Sequence, residues 1–142
     1  MLTILFAIIS GISMTLQGVF NTRLSDKIGL IETNVLVQGS AFIITLILSL
    51  VLHKNGYKEI RDVNKFYLLG GVLGVIIIFT VMKSIGSMGA TCGISIILIS
   101  QLISAALIDA FGLFDTPKIP FNFKEILSII LMICGIILFK WK

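Results

Sequence analysis

Charge is scarce in this chain. Only 13% of its 142 residues are Asp, Glu, Lys or Arg, about half the share usual in soluble domains. Metal and redox chemistry have little to work with. His53 is the single histidine, and the two cysteines, Cys92 and Cys134, fall inside apolar runs, where they behave as small hydrophobes. That excludes an ordinary zinc site, a disulfide framework and a CxxC redox pair. No phosphate-binding Gly-rich loop, H-E-x-x-H or G-x-S-x-G occurs, so no enzyme and no cofactor are expected. The net charge of +4 comes without a basic stripe, which speaks against nucleic acid as a partner. Both prolines, Pro117 and Pro120, lie outside the apolar runs, so no proline-broken helix is expected. The apolar N-terminus lacks a basic n-region and an A-x-A site and stays apolar to about Phe20. It reads as a retained first helix rather than a signal peptide.

What is present is apolar surface. Hydrophobic residues make up 57% of the chain, more than a water-facing globule of this size can bury. The bilayer is the natural solvent, and a spanning helix needs roughly 20 apolar residues. Five segments approach that length: 2–21, 31–52, 66–82, 91–108 and the shortest, 126–139. The expectation is an all-α integral membrane protein, one transmembrane domain over 1–142. Charged connections are expected at Arg23–Lys27, His53–Lys65 and Phe111–Lys124, and a short Gly-rich turn at Lys83–Gly89. Tyr57, Tyr67, Phe139 and Trp141 stand near the predicted ends, where aromatic rings favour the interface.

An odd number of spans puts the termini on opposite sides. The side of Met1, side A, then holds Lys54, Lys58, Arg61, Lys65, Lys118 and Lys124. Side B holds Arg23, Lys27, Lys83, Lys140 and Lys142. Positive-inside orientation needs a bias, and six against five is almost none, so both orientations should insert. The alternatives are that the first helix alone decides, or that the number of segments is off by one.

Polar groups inside a membrane usually face a protein interior or a watery cavity. Gln17 and Asn21 share one helix face at i, i+4, with Ser10 and Ser13 extending it. Asn34 and Gln38 do the same on the next helix. Gln17 and Gln38 could meet at one depth across an antiparallel pair. Gln101 sits near the middle of the fourth segment between Ser100 and Ser104. These amides either line a solute cavity or bond helix to helix. The two facing stripes hold more polar groups than packing requires, which favours the cavity; for Gln101 both readings stand. Other Ser and Thr should bond their own helix backbone. Gly70/Gly74 and Gly89/Gly93 are small-xxx-small pairs suited to close helix crossings. Lys83 should snorkel. His53 should be interfacial, with a proton relay as its alternative.

Three motifs in order carry a resemblance over nearly the whole chain. Gln101-Leu-Ile-Ser-Ala-Ala-Leu-Ile-Asp109-Ala-Phe111-Gly112 resembles the Q-L-x-x-A-L-x-I-D-H-F-G pattern of the YdcZ-like family, a five-helix branch of the drug/metabolite transporter superfamily. Gln17-Gly-Val-Phe-Asn21-Thr-Arg23-Leu24 is similar to its Q-x-x-x-N-x-x-L, and Gly70-Gly71-Val-Leu-Gly74 matches its G-G-x-x-G. Ala110 stands where the family often has His, and Gly29-Leu30-Ile31 lacks the usual proline. The resemblance implies dual-topology or paired antiparallel subunits in a bacterial-type inner membrane.

Small multidrug transporters of that superfamily carry a glutamate deep in the first helix; here that helix has no carboxylate. Glu32 falls at the side-B end of the second segment and Asp109 at the side-A end of the fourth. In an antiparallel dimer Asp109 of one subunit shares a side with Arg23 of the other, so the two are expected to pair or to gate a cavity mouth. The competing reading makes Asp109 an interfacial helix-end residue. The expected function is secondary transport of a small polar or drug-like solute by alternating access. Two antiparallel copies of the chain would frame one midplane site. A small dual-topology channel and a non-transporting assembly subunit are the alternatives. A heterodimer with a paralogue would want a clear charge bias, which is lacking.

Overall fold

The computed structural model describes residues 2–52, 60–61, 63–120 and 122–140, with side chains as far as Leu138. Among these residues the structure is all helical. The elements are α1 (Leu2–Ile28), α2 (Leu30–Leu52), a 3₁₀ turn (Lys65–Leu69), α3 (Gly70–Met88), α4 (Ala90–Phe111), a short 3₁₀ turn (Leu113–Asp115) and α5 (Phe123–Lys140). Four stretches are long and apolar enough to cross a membrane: α1, α2, Lys65–Met88 and α4. The expected fifth span is a helix, but it holds Lys124, Glu125 and Lys140 within 18 residues. His53, Lys54, Tyr57, Lys58, Trp141 and Lys142 lie outside the described residues.

The helices end later than the charge pattern suggests. Arg23–Lys27 is the end of α1 rather than a loop, and Lys83–Met88 is the end of α3 rather than a turn. Charged side chains mark where the bilayer stops, but they do not stop a helix. At 1.5 Å per residue α1 is about 40 Å long, longer than the roughly 30 Å hydrocarbon core. Its last turns therefore belong to the headgroup layer. The breaks fall at Gly29 (φ 97°) and Gly89 (φ 80°), a backbone region open to glycine. Gly29 serves both helices. Its N–H donates to the Ser25 carbonyl at 3.0 Å. Its own carbonyl accepts from the Thr33 N–H at 3.1 Å and the Thr33 hydroxyl at 2.8 Å. A one-residue turn makes α1 and α2 an antiparallel hairpin.

The chain divides into two compact units, Met1–Ser87 and Met88–Lys142. In the first, α3 packs on the hairpin. Gly18 of α1 faces Val81 and Ile85 of α3, and Thr22 faces Gly86. On α2, Asn34 and Gln38 lean on α3 at Val75 and Gly74. The buried residues of this unit are Gly18, Asn21, Thr22, Thr33, Asn34, Met82 and Ile85. Most large aliphatic and aromatic side chains point outward instead. That is the arrangement lipid favours: hydrocarbon is as apolar as Leu, so small and polar residues hold the helices together.

In the second unit α4 packs against α5. Gly112 ends α4 in the left-handed conformation (φ 63°). The following segment folds back, and the Ile119 N–H donates to the Asp109 carbonyl at 2.8 Å. Phe114 and Asp115 are held at φ 59° and 62°, unusual for residues with a Cβ.

Candidate functional site

Two asparagines of the first unit are buried, Asn21 on α1 and Asn34 on α2. Asn34 is 5% exposed and Asn21 is 7% exposed. The Asn34 Nδ2 donates to the Val75 carbonyl at 2.8 Å, reaching from α2 to α3. Its Oδ1 is buried with no hydrogen-bond partner among the described residues. An unpaired buried acceptor costs about 1–3 kcal/mol, so this amide is held in place at the expense of stability. Asn21 has no side-chain hydrogen bond among the described residues. Thr22 and Thr33 are also buried but satisfied: Thr22 donates to the Gly18 carbonyl at 2.7 Å and Thr33 to that of Gly29 at 2.8 Å.

The other candidate amides are placed differently. Gln38 is half-buried, with its amide over Gly74, and Gln17 is exposed. Counted from the Gly29 turn by helical rise, Gln38 lies about 14 Å along α2. Asn21 lies about 12 Å and Gln17 about 18 Å along α1. Asn21 rather than Gln17 is therefore level with Gln38, because the turn sits closer to α2 than a loop over Arg23–Lys27 would put it. In the second unit Gln101 is exposed on α4, while Ser100 and Ser104 bond the carbonyls of Ile96 and Ser100. That back-bonding is general: Thr15, Thr45, Thr80, Ser87 and Ser128 do the same.

Among the charged candidates, Arg23 meets Asp26 of its own helix, Nη1 to Oδ2, at 3.7 Å. Both side chains are exposed, so the contact contributes little. Glu32 is exposed and its carboxylate lies beside Gly29. Asp109 is half-buried at the end of α4. Of the glycines, Gly74 lies under Gln38 and Gly93 is buried, while a Cβ at Gly70 or Gly89 would meet nothing within 4 Å. No group of three or more His, Cys, Asp or Glu able to hold a metal occurs among the described residues.

A cavity of about 310 Å³ opens at the Gly29 end of this unit. Thr22, Ser25, Asp26, Lys83 and Ser87 are on its wall. The Ser25 and Ser87 hydroxyls donate to the carbonyls of Thr22 and Lys83 at 2.8 Å each. Their lone pairs and the Lys83 ammonium remain for a solute, while the Asp26 carboxylate is shared with Arg23. Lys83 is thus part of a cavity wall as well as a helix-end cation. The sequence did carry a signal for this packing. Gly18-xxx-Thr22 is itself a small-xxx-small pair on the Gln17–Asn21 side of α1, and it is the pair that meets α3.

Among the described residues of the second unit, cavities lie along α4 and α5. One, of about 440 Å³, is apolar and lined by residues such as Ile103, Leu107, Phe111 and Ile130. Another, of about 370 Å³, has Asp109, Lys124, Glu125 and Ser128 among its lining residues.

Comparison with known proteins gives one match. A family model described as "Putative inner membrane exporter, YdcZ" matches residues 2–138. No curated protein and no solved structure matches the chain.

Proposed function

The chain belongs to the family described as "Putative inner membrane exporter, YdcZ", and from that premise we propose that it is a secondary transporter of a small polar solute. Its helices and its family make it a multi-pass membrane protein. The observation that carries the reading is the unpaired, buried Oδ1 of Asn34 in the first unit. Helix packing in lipid uses polar groups that are satisfied; among the described residues Asn34 keeps a buried acceptor unsatisfied, and the Asn21 side chain makes no hydrogen bond. Such groups inside a membrane mark a pathway more often than a structural seam.

In this reading Asn21, Asn34 and Gln38 contact solute, with Gln17 and Gln101 completing the lining from the surfaces they expose. The first helix carries no carboxylate before Asp26, so a neutral, zwitterionic or anionic solute suits the lining better than a cation. Two antiparallel copies would form the transporter, related by a pseudo-two-fold axis in the membrane plane. Arg23 and Glu32 on one side and Asp109 on the other would act at the cavity mouths. Exchange of the two subunit conformations would present the site to each side in turn.

Counterflow in proteoliposomes tests this. Vesicles preloaded with a panel of unlabelled neutral and zwitterionic amino acids and polyols are offered each labelled counterpart. The expected result is saturable, exchange-stimulated uptake of at least one solute, reduced by Asn34→Ala and Asn21→Ala. Unsaturable flux without exchange, or none with any solute, contradicts the proposal.

A further inference from the structure

The cavity of about 370 Å³ in the second unit carries an inference separate from the asparagine site. Its wall combines Asp109 from α4 and Lys124 from α5. These opposite charges line one cavity and do not pair. Among the described residues the Asp109 carboxylate makes no hydrogen bond or ion pair, and neither does the Lys124 ammonium. The other polar groups of the wall are partly spent. Glu125 Oε2 accepts the Asn122 N–H at 2.9 Å, closing the N-terminus of α5, and the Ser128 hydroxyl donates to the Lys124 carbonyl at 2.8 Å. Asp109 and Lys124 are the anion and the cation left without a partner, and Glu125 adds a second carboxylate whose Oε2 is already held at the start of α5.

The backbone fixes this separation. Asp109 ends α4, and its carbonyl holds the returning segment through the N–H groups of Ile119 and Gly112. That latch lays Ile119 and Pro120 along the cavity beside Leu102 and Ile129. The rest of the wall is therefore aliphatic. Lys124 is exposed and Asp109 half-buried, so the charges stand at the open rim and the aliphatic residues form the floor. Flexible Lys and Asp side chains that share such a cavity without meeting leave room for something between them. The volume lies within the roughly 300–1,000 Å³ of small-molecule sites.

We propose that the α4–α5 cavity binds a zwitterion with an aliphatic body, its ammonium on Asp109 and its anionic group on Lys124. Two sources share that chemistry: a free aliphatic amino acid, and the headgroup of an aminophospholipid with its chains along the apolar wall. The site does not require that the protein transport anything, so a failure of counterflow leaves it standing.

Equilibrium binding to the full-length protein in detergent tests it, with L-leucine, L-leucine methyl ester and N-acetyl-L-leucine as probes. If the source is soluble, leucine binds roughly tenfold or more tightly than either blocked form, the effect of losing one charge-assisted contact. In the lipid case leucine does not bind, and nanodiscs of phosphatidylethanolamine stabilise the protein against heat more than nanodiscs of phosphatidylcholine. In either case Asp109→Asn and Lys124→Gln each abolish the preference. The exchanged pair Asp109→Lys with Lys124→Asp restores it, because a zwitterion can turn round. Equal behaviour of all three leucine probes, together with equal stability in the two lipids, overturns the proposal. So does a preference that survives both single substitutions. The wild-type comparisons need no variant to fold.

Discussion

Gly74 of α3 lies directly beneath the amide of Gln38 on α2: a Cβ there would stand 2.9 Å from Gln38 Nε2. The listening end of that contact is a flexible side chain, so Gly74→Ala displaces the amide rather than the helix. The expected cost in stability is below about 1 kcal/mol. If Gln38 contacts solute as proposed, transport should fall roughly three- to tenfold. Adding Gln38→Ala to Gly74→Ala should cost little more, and a double-mutant cycle on transport rate measures that non-additivity. Additive losses would show that Gly74 does not act through Gln38.

Asn34 trades stability for polarity. Replacing it with Leu removes both the buried unpaired Oδ1 and the bond to Val75. The Val75 carbonyl lies inside α3, which supplies its helical partner. Asn34→Leu should therefore leave thermal stability in detergent unchanged or raise it by about 1 kcal/mol, while abolishing exchange. A variant that is both destabilised and active would contradict the account of this residue.

The α1–α3 crossing at Gly18 has no room to spare. A Cβ would come within 2.8 Å of Ile85 Cδ1 and 3.1 Å of Val81 Cγ1, and Ile85 is buried. Gly18→Ala should cost about 1–3 kcal/mol as overpacking. Ile85→Val, which deletes the nearest methyl, should recover part of that loss in the double variant. Chemical or thermal unfolding of the four proteins of the cycle gives the coupling directly.

The segment after α4 offers two substitutions of opposite sign. Phe114 is exposed and held at φ 59°, so Phe114→Gly should stabilise the turn by about 1 kcal/mol. Gly112 has φ 63°, and a Cβ there would lie 3.3 Å from both Lys118 Cβ and the Thr116 carbonyl oxygen. Gly112→Ala should destabilise by about 1–2 kcal/mol. Because this segment walls the Asp109 cavity, Gly112→Ala should also blur the zwitterion preference there, which binding of the leucine probes would register.

The parts of this molecule that lie within one helix were legible in the sequence, and those set between helices were not. The i, i+4 pairs Asn34/Gln38 and Gln17/Asn21 put candidates on common faces, but only the position of the turn decides which residues stand level. That turn is a single glycine. Arg23, Asp26 and Lys27 conceal it, because charges at a membrane boundary look the same on a helix as in a loop. Lys83 conceals the end of α3 in the same way. Lys124 and Glu125 start α5 earlier than its apolar run, with Glu125 bonding back to the Asn122 N–H. The unpaired Oδ1 of Asn34 and the facing of Asp109 and Lys124 depend on contacts between elements, Asn34 to Val75 and Ile119 to Asp109. No pattern along the chain records them. Gly18 with Thr22 is the exception: a readable pair at small-xxx-small spacing whose contact is with another helix.

The orientation of the chain in the membrane tests the antiparallel transporter most directly. With α5 crossing in addition to the four apolar spans, Lys and Arg divide almost evenly between the two sides. With Cys92 and Cys134 replaced by alanine and one cysteine added after Lys142, intact cells are labelled with a membrane-impermeant maleimide, then labelled again after permeabilisation. The account predicts that about half of the molecules react from outside, as near-equal charge on the two sides requires. Labelling of all molecules from one side only would contradict the antiparallel homodimer.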